Sequence, residues 1–153
     1  MPVIAPVSRH RKTNLVLYIV VCVVLAAWCA YDGYINQSWI AEHTNPDGTP
    51  QPYLTFNRQG PFYFGAAAVL LAVYLAVIRN KKITAEEDKL VLAGGETIPF
   101  DAIEKVDKTY FKSKGFFVIT YTNERGRQVR RKLSDRNYDN LEAVLELVIE
   151  KIS

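Results

Sequence analysis

Five basic side chains lie within the eight residues 125–132, the densest group in the sequence that could do chemistry. They are Arg125, Arg127, Arg130, Arg131 and Lys132. Arginine and lysine at this density could contact anionic lipid or an acidic protein partner. The alternative is a solvated strand face whose charges pair with Glu124 and with the acidic side of the last helix. Nucleic acid is not an expected partner, because residues 83–153 carry 12 basic and 13 acidic side chains and no exposed aromatic is expected beside the arginines.

The C-terminal half lacks the side chains on which common catalytic and zinc sites depend. Residues 83–153 contain no histidine and no cysteine, which argues against Ser-His-Asp and Cys-His nucleophilic sites and against zinc held by nitrogen or sulfur. Gly94 and Gly95 predict a hairpin turn, since no phosphate-binding lysine motif surrounds them. The acidic residues 86–88 lack the spacing of a calcium loop and predict a solvated turn. We therefore expect a non-enzymatic protein without a metal or cofactor.

Two uncharged apolar segments precede this half of the chain. Residues 15–31 and 61–78 are 17 and 18 residues long, near the lower limit for a helix that crosses a bilayer. A buried core helix is the alternative for both, but neither has a polar face. A signal peptide is the alternative for the first, although its apolar run is longer than usual and lacks a clean cleavage site. We predict transmembrane helices at 13–35 and 61–79.

Basic residues flank both predicted spans on the same side. They are Arg9, Arg11 and Lys12 before the first span, and Arg79, Lys81 and Lys82 after the second. The predicted external loop, residues 36–60, has Arg58 as its only basic residue. The positive-inside rule therefore predicts a multi-pass membrane protein with both termini cytoplasmic. The flanking charges could also attract anionic lipid, or they could serve topology alone.

The remaining segments predict a short tail and a small α+β domain. Residues 1–12 are expected to be a disordered cytoplasmic tail. Residues 80–153 alternate short strand patterns with turns, and the segment from Lys82 onward is expected to fold alone. Apolar residues at helical spacing from Leu141 to Ile152 predict an amphipathic helix that packs on an antiparallel sheet.

Four short motifs in this domain resemble a bacterial pleckstrin-homology-like domain found in small membrane proteins. They are LVLAGG at 90–95, IPFDAI at 98–103, KGFF at 114–117 and YDNL at 138–141. The resemblance implies a half-barrel of antiparallel strands closed by the C-terminal helix. It also implies an interaction domain that is tethered to a bacterial inner membrane. In lipid-binding members of this fold, the headgroup loop joins the first two strands and is basic. The corresponding loop here is expected at the acidic residues 86–88, which argues against phosphoinositide binding.

These observations favour a membrane-anchored interaction or scaffold module that binds a protein partner at the cytoplasmic face. Lipid sensing by residues 125–132 is the second hypothesis, and an accessory subunit of a larger membrane complex is the third. Ala68, Ala72 and Ala76 recur at every fourth position. Small residues at this spacing favour close packing of the two spans over a homo-oligomer, which they leave open.

Overall fold

Both ends of the sequence belong to the same folded unit. In a computed structural model that describes residues 1–153, Met1–Lys12 and Val77–Ser153 form one unit, and Thr13–Ala76 form the other. We call the first unit the domain and the second the helical unit. The boundary expected at residue 80 therefore omits an N-terminal part of the domain.

The helical unit contains two long apolar helices. Helix α1 (Arg9–Ala30) continues as a π-helical turn (Tyr31–Ile35), and α2 (Gln37–Glu42) leads to α3 (Pro52–Ile78). By length and composition, residues 9–35 and 52–78 could each cross a membrane, and only 11% of the most apolar window of each is buried. The core helix of a soluble protein would be mostly buried, so this exposure favours membrane association.

Two glycines allow close contact within the helical unit. A Cβ atom on Gly33 would lie 2.8 Å from the carbonyl oxygen of Asn57, and one on Gly60 would lie 2.8 Å from Cys29 Sγ. Substitution at either position would force neighbouring atoms to move. Of the three alanines expected to pack between the two helices, Ala68 is buried.

The other two alanines, Ala72 and Ala76, are exposed, so the expected alanine contact is limited to Ala68.

Helix α3 begins at Pro52 and runs through Pro61, so residues 52–60 of the expected external loop are helical. A proline inside a helix removes one backbone hydrogen bond, which this long helix tolerates.

The first sheet of the domain contains an N-terminal strand. Strand β1 (Val3–Pro6) pairs antiparallel with β2 (Lys82–Ala85), and β3 (Lys89–Val91) and β4 (Thr97–Pro99) follow in the order β1-β2-β3-β4. The prediction of a disordered tail is therefore wrong. Ala5 of β1 is fully buried, so the domain core includes this strand. A segment beginning at Lys82 would lack it.

The second sheet has the order β5-β6-β7. A 3-10 turn (Phe100–Ala102) leads to β5 (Ile103–Asp107), and a short helix α4 (Phe111–Lys114) precedes β6 (Phe116–Thr122). Strand β7 (Gln128–Ser134) is the far edge of this sheet.

The predicted amphipathic helix is confirmed as α5 (Leu141–Ile152). Its buried residues are Leu141, Val144, Leu145 and Val148, and they join one core with residues of both sheets. The domain therefore consists of two small antiparallel sheets and a C-terminal helix.

Candidate functional site

The five predicted basic residues do not share one surface. Arg125 and Arg127 lie in and beside the turn between β6 and β7. Arg130 and Lys132 are exposed and lie on the outer face of the second sheet, opposite Thr120 and Val118 of β6. Arg131 lies between them on the opposite face. The expected single basic hairpin surface is therefore divided among three places.

Arg131 takes part in a polar network that joins the two sheets. It lies opposite the buried residue Ile119, and its Nη2 is 3.0 Å from Glu96 Oε2. Tyr121 donates a hydrogen bond from its hydroxyl to Glu96 Oε1. Glu96 lies in the turn between β3 and β4, so its carboxylate links the first sheet to the second. This arrangement assigns Arg131 a structural role.

The network also shifts the pKa values of its members. The hydrogen bond from Tyr121 and then the charge of Arg131 lower the pKa of Glu96, while burial and the bond to Glu96 raise the pKa of Tyr121. Since the pKa of Glu96 falls on folding, its stabilising contribution is present at neutral pH and is lost as pH falls through the folded-state pKa. The side chains of Arg131 and Glu96 are 50% and 37% exposed, so solvent screening keeps this contribution small.

Arg130 belongs to a mixed-charge row on the outer face. Lys105 of β5 and Arg130 of β7 both lie opposite Thr120 of β6. Hydrogen bonds from Thr109 chiefly lower the pKa of neighbouring Asp107, and the charges of Lys105 and Arg130 lower it further. The positive charge of this row is therefore partly balanced within the sheet.

Next to this row is a group of aromatic and lysine side chains that the sequence reasoning missed. The rings of Tyr110 and Phe116 stack with their centroids 5.6 Å apart. Lys132 Nζ lies 3.8 Å from the Phe116 ring centroid, and Lys114 Nζ lies 4.8 Å from that of Tyr110. We call these four residues the aromatic–lysine patch. The alternation of β6 was the available signal, because it separates Phe116 from the buried Phe117.

A groove lies between the edge of the first sheet and the end of β6. It has a volume of about 680 Å³ and is lined by residues 95–99 and 121–125 with Ala102. Glu96 O accepts from Leu92 N, and Phe100 N donates to Asp88 O. By the alternation of an antiparallel ladder, the N–H and C=O of Thr97 therefore point away from β3. Thr97 is exposed and lines the groove.

All six predicted membrane-flanking residues belong to the domain unit. They are Arg9, Arg11, Lys12, Arg79, Lys81 and Lys82. With them, residues 1–12 and 77–153 carry 18 basic and 13 acidic side chains, a net charge of +5. The count over residues 83–153 alone, which gave a nearly neutral domain, therefore omits six basic side chains. Exposed Tyr110 and half-buried Phe116 also lie beside basic side chains, so the exclusion of nucleic acid stays a prediction.

The N-terminal strand changes which connection joins the first two strands of the domain. Because β1 precedes the helices, the acidic residues 86–88 join the second and third strands. The connection between the first two strands is residues 7–81, which contain the helical unit. The acidic loop therefore gives no argument against lipid binding.

His10 also belongs to the domain unit, so that unit contains one histidine. The structure brings together no three His, Cys, Asp or Glu side chains that could hold a metal ion.

Comparison with protein-family models, curated proteins and solved structures found no match.

Proposed function

We propose that this chain is a non-enzymatic, membrane-anchored interaction module of the bacterial inner membrane. In this proposal, the two apolar helices form a hairpin of two spans and the domain lies at the cytoplasmic face. There the domain binds a protein partner. The pairing of β1 with β2 is the observation that carries the proposal.

This pairing supports a two-span topology. Two residues separate the end of β1 from the start of α1, and three residues separate the end of α3 from the start of β2. Pro6 lies opposite Lys82 in the sheet. Both ends of the helix pair must therefore emerge on the same side of any membrane that they cross. The six flanking basic residues favour the cytoplasm as that side.

The strand order also favours a pleckstrin-homology-like domain. Seven antiparallel strands in two small sheets, followed by a C-terminal helix, agree with antiparallel strands closed by a C-terminal helix, which the sequence resemblance implies. Strand β1 adds a seventh strand to the six that lie within residues 82–153. In this proposal the membrane hairpin is an insertion between the first two strands of the domain.

The groove beside β4 is the proposed partner site. Strand β4 is an edge strand with β3 as its neighbour in the sheet. An extended peptide can add to such an edge through backbone hydrogen bonds, and the groove provides side-chain contacts. The outward N–H and C=O of Thr97 are the backbone groups that would meet the partner.

Photo-crosslinking in intact cells tests this site. A photoreactive amino acid at Thr97 is expected to give one discrete protein adduct, because the partner segment would lie within contact distance. The same amino acid at Lys151, which is exposed on α5 outside the groove, is the matched control. Mass spectrometry identifies the adduct, and an integral membrane enzyme or transporter would indicate the accessory-subunit form. Absence of any adduct at Thr97, or equal adducts at both positions, would count against the site.

A further inference from the structure

We propose that the aromatic–lysine patch docks onto anionic headgroups of the bilayer that the chain's own helices cross. The patch is Tyr110, Lys114, Phe116 and Lys132, and its ligand is the phosphate-bearing surface of the inner leaflet. This inference rests on the proposed membrane anchoring and adds a second contact with the bilayer. The contact would orient the domain and leave the β4 groove open to a protein partner.

A chain of backbone hydrogen bonds links the patch to the start of α1. Asp135 N donates to Gly115 O at 2.8 Å, and Asn137 N donates to Ser134 O at 3.0 Å. Ser8 N then donates to Asn137 O at 2.8 Å. Ser8 directly precedes α1. Within the domain unit, the patch is therefore linked to the residue that directly precedes α1.

The turn that carries the patch has a defined shape. Gly115 ends α4 with a φ of +69°, a conformation that favours glycine. A Cβ atom there would collide with the carboxylate of Asp135. Close packing of Asp135 on Gly115 therefore holds Lys114 and Phe116 on either side of the turn.

The composition of the patch suits a lipid surface. Tyr110 is 46% exposed, and tyrosine and tryptophan are enriched at the headgroup level of membranes. The ammonium groups of Lys114 and Lys132 lie over the two rings, so charge and apolar surface occur together. Basic residues near an anionic bilayer are attracted to it over about a Debye length. The proximity to Ser8 favours the bilayer over an acidic protein as the occupant.

The β6–β7 turn provides a matched control. Arg125 and Arg127 are exposed and carry the same charge as the two patch lysines. Phe116 pairs with Ser134 at one end of this hairpin, and Thr122 pairs with Gln128 at the other end. The arginines therefore lie at the end of the hairpin far from the patch.

Fluorescence of the full chain in liposomes tests the proposal. Ser113→Cys, in a chain with Cys22→Ala and Cys29→Ala, carries an environment-sensitive dye between the patch residues. Liposomes contain phosphatidylcholine alone or phosphatidylcholine with 30% phosphatidylglycerol. We expect a blue shift and quenching by bromolipid with phosphatidylglycerol, and loss of both at high salt. Lys114→Gln with Lys132→Gln should lower the docked-to-free ratio roughly thirtyfold, since each basic residue contributes a factor of about five.

The outcomes separate this proposal from its premise. Carbonate-resistant flotation of the labelled chain reports membrane insertion of the helices, whatever the dye shows. If the helices are inserted but the dye does not respond to phosphatidylglycerol, the docking proposal is overturned and the proposed membrane anchor stands. An equal loss of the dye signal with Arg125→Gln and Arg127→Gln would also overturn the docking proposal. Patch variants that lose the protein adduct at Thr97 without a change in the dye signal would overturn it as well. A loss confined to the lysine pair would support it.

Discussion

Replacing Ala5 with aspartate is expected to unfold the domain although the change lies in the first six residues. Ala5 is fully buried in a core shared with both sheets and α5. An unpaired carboxylate there costs about 4 kcal/mol or more, which is most of the stability of a marginal domain. Pulse proteolysis of the purified full-length protein in mild detergent, followed over a urea series, measures the change.

The neighbouring residue provides the control for this substitution. Ile4 lies on the other face of β1 and is 41% exposed, so Ile4→Asp should shift the unfolding midpoint only slightly. The prediction concerns the difference in unfolding midpoint between the Ala5→Asp and Ile4→Asp variants. If residues 1–12 were a disordered tail, Ala5→Asp and Ile4→Asp would behave alike, and that result would contradict the fold.

Leu145→Asp is expected to have an effect of similar size from the opposite wall of the core. Leu145 is 5% exposed and lies on the buried side of α5 between Val144 and Val148. The substitution removes a leucine side chain and buries a charge, so we expect unfolding or a loss of several kcal/mol. The same proteolysis assay applies.

Glu146 is the matched position on α5. It is exposed one residue further along the helix, and Glu146→Gln should leave the unfolding midpoint within experimental error. An unchanged midpoint for Leu145→Asp would contradict the packing of α5 on the sheets.

Helical periodicity made α5 predictable, whereas nothing comparable marked β1. The spacing from Leu141 to Ile152 repeats over three turns, and the helix occurs where that spacing predicts it. Strand β1 has four residues and ends at Pro6. Its place depends on pairing with residues 82–85, far along the chain. Such long-range pairing cannot be deduced from a short local pattern.

The candidate site shows the same limit at the level of single residues. A count of basic residues groups Arg130, Arg131 and Lys132 together, but strand alternation sends Arg131 to the other face. Its ion pair with Glu96 spans 35 residues. The aromatic–lysine patch likewise depends on the register of β6 with β7 and on the fold of residues 110–116. These relations come from tertiary structure and leave only weak signals in composition.

A disulfide across β1 and β2 tests the central proposal that the two strands enclose a membrane hairpin. Ile4 and Thr84 are directly opposite. Since Val7 N donates to Lys81 O, alternation makes Ile4 and Thr84 a non-hydrogen-bonded pair, whose Cα atoms are typically about 4.5 Å apart. This distance suits a disulfide. The double variant Ile4→Cys and Thr84→Cys, without the native cysteines, should therefore crosslink under mild oxidant.

A protease site inserted after Gly48 in the external loop completes the measurement. We expect protease added to spheroplasts to cut the loop, and we expect the two fragments to migrate together without reductant and apart with it. Ile4→Cys with Lys105→Cys, whose second position lies in the other sheet, should release separate fragments under both conditions. Fragments of the Ile4–Thr84 variant that separate without reductant would contradict the strand pairing, and a loop that resists protease until the cells are lysed would contradict the topology.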